Sequence, residues 1–303
     1  MKARYAAIDV GTNSINLLVT DDAGSVITRE GHVERLGERL HQDKVLSDNA
    51  VARALSRITS YVQTINELGV DKWKVVITAP GRLANNSEAF VEAVRAIAGD
   101  RVEVVSGQRE AELSFRGAAP TEIQGGSCLI DIGGGSTEFA LGIGDSLRTF
   151  SIPVGAVTLS AAHLHSDPPR PEELTNALGE VNDHLDDVLR EMPNITVAAQ
   201  QIGVAGTIVT IAAVEIGLLD FDADQLEGFV LTKEAAEDVF RTLATENIAE
   251  RRLNPGLPAA RADVIVGGCC ILVAFMRRLG LAAITVSVRN LLDGVINELR
   301  QQS

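Results

Sequence analysis

The 303 residues are 46% hydrophobic and 22% charged, which excludes a disordered, collagen-like or coiled-coil chain. The net charge of −14 is lopsided, with 15 basic and 17 acidic residues in 1–124 against 12 and 24 in 125–303; with no polybasic run, nucleic-acid binding is not expected. The first apolar run meets Asp9 too early for a secretory core, residues 264–276 are too short to span a bilayer, and three cysteines, two adjacent, suit a reducing cytoplasm better than a disulfide framework.

In chain order, residues 5–8 read as a strand, 9–14 as a loop, 15–20 as a returning strand, and 21–24 as a turn into a third strand over 25–30. A helix capped at Ser47 runs to Leu68 and stops at Gly69. A strand over 75–78 leads into a loop containing Pro80-Gly81-Arg82. A helix capped by Ser87, a strand over 102–105 and a helix from about Gln108 follow. At Ser127 the pattern restarts: strand 128–130, glycine-rich loop 131–137, strand 138–143, turn, strand 147–152. The same strand–loop–strand grammar twice in one chain implies an internal duplication. The expected division is 1–124 and 125–303, with the polar stretch 120–126 as the boundary. Helices from Gly155 and over 171–191 come next, then a strand ending at Val204, whose turn Gly203-Val-Ala-Gly-Thr207 opens another helix. A helix from Thr232, a Pro-rich loop, an apolar helix over 261–279, a strand over 284–286 and a closing helix complete the second half.

Asp9-Val-Gly-Thr-Asn-Ser14 and Asp131-Ile-Gly-Gly-Gly-Ser-Thr137 each follow a strand. Glycines let consecutive backbone N–H groups converge on an anion, so Gly11, Thr12, Asn13 and Ser14, and Gly133, Gly134, Gly135, Ser136 and Thr137, are candidate phosphate-binding residues. Either loop alone could be a plain hairpin turn; paired, each behind an aspartate, they point to a phosphate site. Asp9, Asp131 and Glu138 are candidate ligands of Mg2+, or Mn2+, because hard cations take carboxylate and water oxygens. Gly206 and Thr207 open a helix whose first amides could hold a third anion. The spacing fits neither a dinucleotide fingerprint nor a P-loop. Glu110 and Glu112 both stand in the first turn of their helix, and either could activate water. His163-x-His165 reads as a surface helix end, not a metal pair.

These motifs, with Ser106-Gly-Gln-Arg-Glu-Ala111, together resemble the exopolyphosphatase / guanosine pentaphosphate phosphatase family, in its short two-domain form. The resemblance spans nearly the whole chain. It implies an α/β fold of two duplicated ribonuclease-H-like domains, of the actin-like ATPase and sugar kinase superfamily, with a cleft between them. It also implies release of terminal phosphate from inorganic polyphosphate, short chains being favoured by the acidic second half, with pppGpp hydrolysis as the alternative. By position it makes Glu110 the catalytic acid/base, Arg82 a phosphate ligand, and Asp131 and Glu138 the metal-associated acids. The chain departs from the pattern at Asn16, Leu83 and Arg109, the last replacing an acid and offering a phosphate contact. A cytoplasmic homodimer is expected, and a nonhydrolytic polyphosphate or nucleotide sensor is the reading from another class.

Overall fold

The computed structural model describes residues 3–119 and 125–302, so most of the expected boundary, residues 120–124, lies outside the described residues. The chain forms two compact units, one ending at Gly117 and resuming at Asn290, the other running from Ala118 to Arg289.

In the first unit, β1 (Arg4–Val10), β2 (Ser14–Asp21) and β3 (Val26–Val33) form an antiparallel meander, while β4 (Lys72–Ile77) and β5 (Val102–Val104) add in parallel. The strand order is β3-β2-β1-β4-β5. Its helices are α1 (Leu40–Asp43), α2 (Asp48–Glu67), α3 (Ala79–Leu83), α4 (Ser87–Ala98) and α5 (Gly107–Ala118). The Ser47 hydroxyl accepts from the Ala50 amide at 3.2 Å and starts α2 as expected. Alternation divides each strand between two faces. Ala6, Ile8 and Val10 join Ile15, Leu17, Val75 and Ile77 in a core with α2 and α4. Tyr5 and Ala7 pack with Leu18 and Val76 on the other face. Asp9, at odd spacing with Tyr5 and Ala7, takes this second face.

The second unit repeats the plan. β6 (Ser127–Ile132), β7 (Thr137–Ile143) and β8 (Ser146–Ile152) form the meander, and β9 (Gln200–Val204) and β11 (Ala283–Val286) add in parallel. A further strand, β10 (Val230–Thr232), pairs antiparallel with β11 at the edge. Around them lie α6 (Ala156–His163), α7 (Pro171–Glu191), α8 (Ala205–Ile216), α9 (Ala223–Leu226), α10 (Lys233–Thr245), α11 (Ile248–Arg251) and α12 (Ile265–Arg278). Every residue from Ile265 to Met276 is buried, which explains its membrane-like hydropathy: it is a core helix. No helix among the described residues is long and apolar enough to cross a membrane.

Several elements differ from expectation. Residues 80–82 belong to the short helix α3, with proline in its first turn, where a missing N–H costs nothing. Ser87 is the first helical residue of α4, not its cap; the amide of Asn86, at the cap position, bonds Leu46 N and O instead. The apolar helix begins at Ile265 after a 3₁₀ turn at Ala259–Arg261.

The division also differs from 1–124 and 125–303, because the closing helix α13 (Leu291–Gln301) belongs to the first unit. Its apolar stripe, Leu291, Leu292, Val295, Ile296 and Leu299, covers the second face of the first sheet. A Cβ on Gly294 would sit 2.0 Å from the Leu113 carbonyl oxygen, and one on Gly117 2.0 Å from that of Asn290. Two glycines thus let α5 and α13 meet backbone to backbone.

Candidate active site

The two loops close alike. The Gly11 amide donates to the Ser14 carbonyl at 3.0 Å, and the Gly133 amide to that of Ser136 at 3.1 Å. A Cβ on either glycine would lie 3.1 Å from the same carbonyl oxygen. Asp9 and Asp131, Gly11 and Gly133, Ser14 and Ser136, and Asn16 and Glu138 stand at one constant offset, as a duplication requires.

Backbone bonding orients the loop amides. The Gly133 carbonyl accepts from Ala156 N at 2.9 Å and the Gly134 carbonyl from Val157 N at 2.8 Å. In a trans peptide the C=O and the following N–H point to opposite sides. The amides of Gly134 and Gly135 therefore point away from α6, whose own first amides are spent on the loop. In the first unit the Thr12 carbonyl accepts from Gly37 N at 2.8 Å, which turns the Asn13 amide away from that segment. Thr12 Oγ1 is buried without a hydrogen-bond partner among the described residues, a polar group whose burial is costly unless a ligand meets it. The Thr137 hydroxyl is committed, donating to the Val154 carbonyl at 2.7 Å; Ser14 and Ser136 are buried beside their loops.

Each loop aspartate faces a residue on the next strand. Asp9 is paired in register with Asn16, whose Nδ2 donates to Asp9 Oδ2 at 3.0 Å. Asp131 is paired with Glu138, and the two carboxylates are 7% and 0% exposed. Ser151 Oγ donates to Glu138 Oε1 at 2.9 Å. Like charges directly opposite on one sheet face repel, so a hard cation between or beside them would relieve the pair, and their oxygens suit Mg2+ or Mn2+. Among the described residues no three or more His, Cys, Asp or Glu side chains gather into a metal group.

The catalytic candidate is placed by α5. Glu110 is 8% exposed and its Oε2 accepts from Arg82 Nη1 at 2.7 Å; the same nitrogen donates to the Val105 carbonyl at 2.9 Å. Glu112 instead pairs with Arg109 at 2.9 Å and Arg116 at 2.6 Å. Structure thus separates the two glutamates that sequence left equivalent. Arg109, expected as a phosphate contact, donates to Glu112 and to Glu298 of α13. Burial opposes its charge, but its hydrogen bonds to the Glu298 and Glu112 carboxylates outweigh this and raise its pKa above the ordinary value. His163 is the last residue of α6, and its ring meets Glu180 of α7.

In the third loop Ala205 carries a φ of +69°, an uncommon conformation for a residue with a Cβ. A Cβ on Gly206 would lie 2.3 Å from Arg261 Nη2, so the guanidinium rests on the loop backbone. Thr207 is buried against Gly268. Arg261 was missed from sequence; burial depresses its pKa from the ordinary value, and only its position before an apolar helix could have signalled it.

Two α/β units of one plan, each with a meander, an aspartate near the end of the first strand and a glycine loop behind it, define a duplicated α/β protein. The chain belongs to the Ppx/GppA phosphatase family, whose model matches residues 17–302. It is 31% identical to Exopolyphosphatase 2 of Mycobacterium tuberculosis, over 96% of this chain and 97% of that protein. A solved exopolyphosphatase-like protein superposes with a TM-score of 0.94 at 29% identity, covering 99% of both chains. The guanosine-5'-triphosphate,3'-diphosphate pyrophosphatase of Pseudoalteromonas translucida is 29% identical over 96% of this chain but 58% of its own length.

Proposed function

We propose that this chain is an exopolyphosphatase that releases terminal orthophosphate from inorganic polyphosphate, with short chains preferred. The observation that carries the reading is the buried Glu110–Arg82 pair at 2.7 Å, in a family member that carries both phosphate loops. Glu110 accepts a proton from water as the water oxygen attacks the terminal phosphorus. The bridging P–O bond breaks, orthophosphate leaves, and the chain shortens by one unit. Arg82 orients the Glu110 carboxylate and meets the phosphate as it arrives. The amides of Asn13, Gly134 and Gly135, with Ser14, Ser136 and the loop of Gly206 and Thr207, bind phosphate oxygens.

Asp131 and Glu138 would hold Mg2+ or Mn2+, which offsets charge on the phosphates when bound, and Asp9 is the candidate cation ligand of the first unit. The chain-length preference follows from the acidic second unit, which offers no extended basic track to a long polyanion. The relative from Pseudoalteromonas keeps pppGpp as a second substrate reading. Phosphate release resolved by chain length, with pppGpp in parallel, tests both. Release from neither polyphosphate nor pppGpp, with binding retained, would instead favour a sensor.

A further inference from the structure

Each loop aspartate begins a row of three residues across three adjacent strands. In the first unit the row is Asp9, Asn16 and Gly31, because Asp9 pairs with Asn16 and Asn16 with Gly31. In the second it is Asp131, Glu138 and Ser151, because Asp131 pairs with Glu138 and Glu138 with Ser151. Members of such a row project from one face of the sheet and touch their neighbours. The first two members of each row are accounted for above. The third are not.

We propose that Gly31 and Ser151 are positioning residues, which set the orientation of the carboxylates their rows present to phosphate and metal. The proposal rests on the reading of Asp9, Asp131 and Glu138 given above. In the second row the device is a donor: Ser151 Oγ holds Glu138 Oε1 at 2.9 Å, and an oriented carboxylate presents fixed lone pairs to whatever it binds. In the first row the device is empty space. A Cβ on Gly31 would sit 2.7 Å from Asn16 Oδ1 and 3.8 Å from its Cγ. The amide is planar, so pushing Oδ1 aside swings Nδ2, which holds Asp9 Oδ2 at 3.0 Å. Gly31 is exposed and is not among the residues with positive φ. Alanine there meets neither a packed core nor backbone strain, so its effect must pass through Asn16.

The test combines turnover with Mn2+ binding followed by electron paramagnetic resonance without substrate. Ser151→Ala should lower kcat and Mn2+ affinity each about tenfold, and Ser151→Thr, which keeps the hydroxyl, should restore both. Gly31→Ala should lower kcat about tenfold in the wild-type background and have no effect added to Asn16→Ala. Equal behaviour of Ser151→Ala and Ser151→Thr, or a Gly31→Ala effect that persists without Asn16, would overturn the proposal. Melting curves of each variant separate these outcomes from misfolding. Asp9→Asn and Asp131→Asn locate a failure: if they abolish turnover while Gly31→Ala and Ser151→Ala do not, the positioning role alone falls. If both retain full turnover, the reading of the carboxylates falls with it.

Discussion

The two hairpins share a backbone but not a charge. Both loops close through a glycine amide on a serine carbonyl, at 3.0 and 3.1 Å. Beyond that closure, Asp9 meets the neutral amide of Asn16, whereas Asp131 meets the carboxylate of Glu138. Closure uses only backbone groups, so side chains on the returning strand could diverge without loss of the loop. The result is a division of labour. The first unit contributes the buried Glu110–Arg82 pair, proposed above to activate water, and a row in which an amide meets the aspartate. The second contributes a buried pair of acids that a cation would satisfy.

The sharpest break of this comparison is Glu110→Gln. If the first unit carries the proton transfer, kcat should fall about 1,000-fold with an unchanged melting temperature; a small loss would move the chemistry elsewhere. Next, exchanging the row chemistries should reverse their responses. In metal-free protein Asn16→Asp sets like charges opposite and should cost about 1 kcal/mol in urea denaturation. Glu138→Gln, relieving such a pair, should stabilise the metal-free protein and abolish its stabilisation by Mg2+. Similar behaviour in both rows would erase the distinction drawn between them.

A third expectation concerns the helix that only the first unit has. Gly294→Ala drives a methyl into the Leu113 carbonyl and should cost about 2 kcal/mol, lowering turnover because α5 carries Glu110. Arg109→Ala should cost less, since Arg109 remains 28% exposed and such pairs are partly screened. The last expectation concerns the second unit. Burial pushes the Cys128 thiol up to about 12 from 9.0. The unfolded thiol ionises first, so stability is fully present below pH 9 and falls as pH rises toward 12. Wild type should therefore lose about 1.4 kcal/mol relative to Cys128→Val by pH 10, read from paired melts.

Much of this was legible before any coordinates. Alternation placed the strands, Ser47 and Gly69 bounded α2, and the repeated aspartate–glycine loops announced two units of one design. Glu110 was singled out by resemblance, and the structure buries it beside Arg82. What escaped were short elements such as β10 and α9, too brief for a periodic signal. Arg261, the Glu298 partner of Arg109 and the unit to which the closing helix belongs escaped for another reason: each depends on a contact far away in the chain.

By itself the sequence determined local conformation and facing: which residues turn, which strands alternate, where glycine lets amides converge on an anion. Those are contests among neighbours, settled by sterics and by apolar periods of two or 3.6 residues. Only the tertiary structure decided that α13 returns to the first sheet, that Arg109 meets Glu298, and that Gly31 and Ser151 complete the two rows. An amphipathic stripe specifies that a helix must be covered, not by which surface. A lone glycine specifies room, not the side chain that fills it.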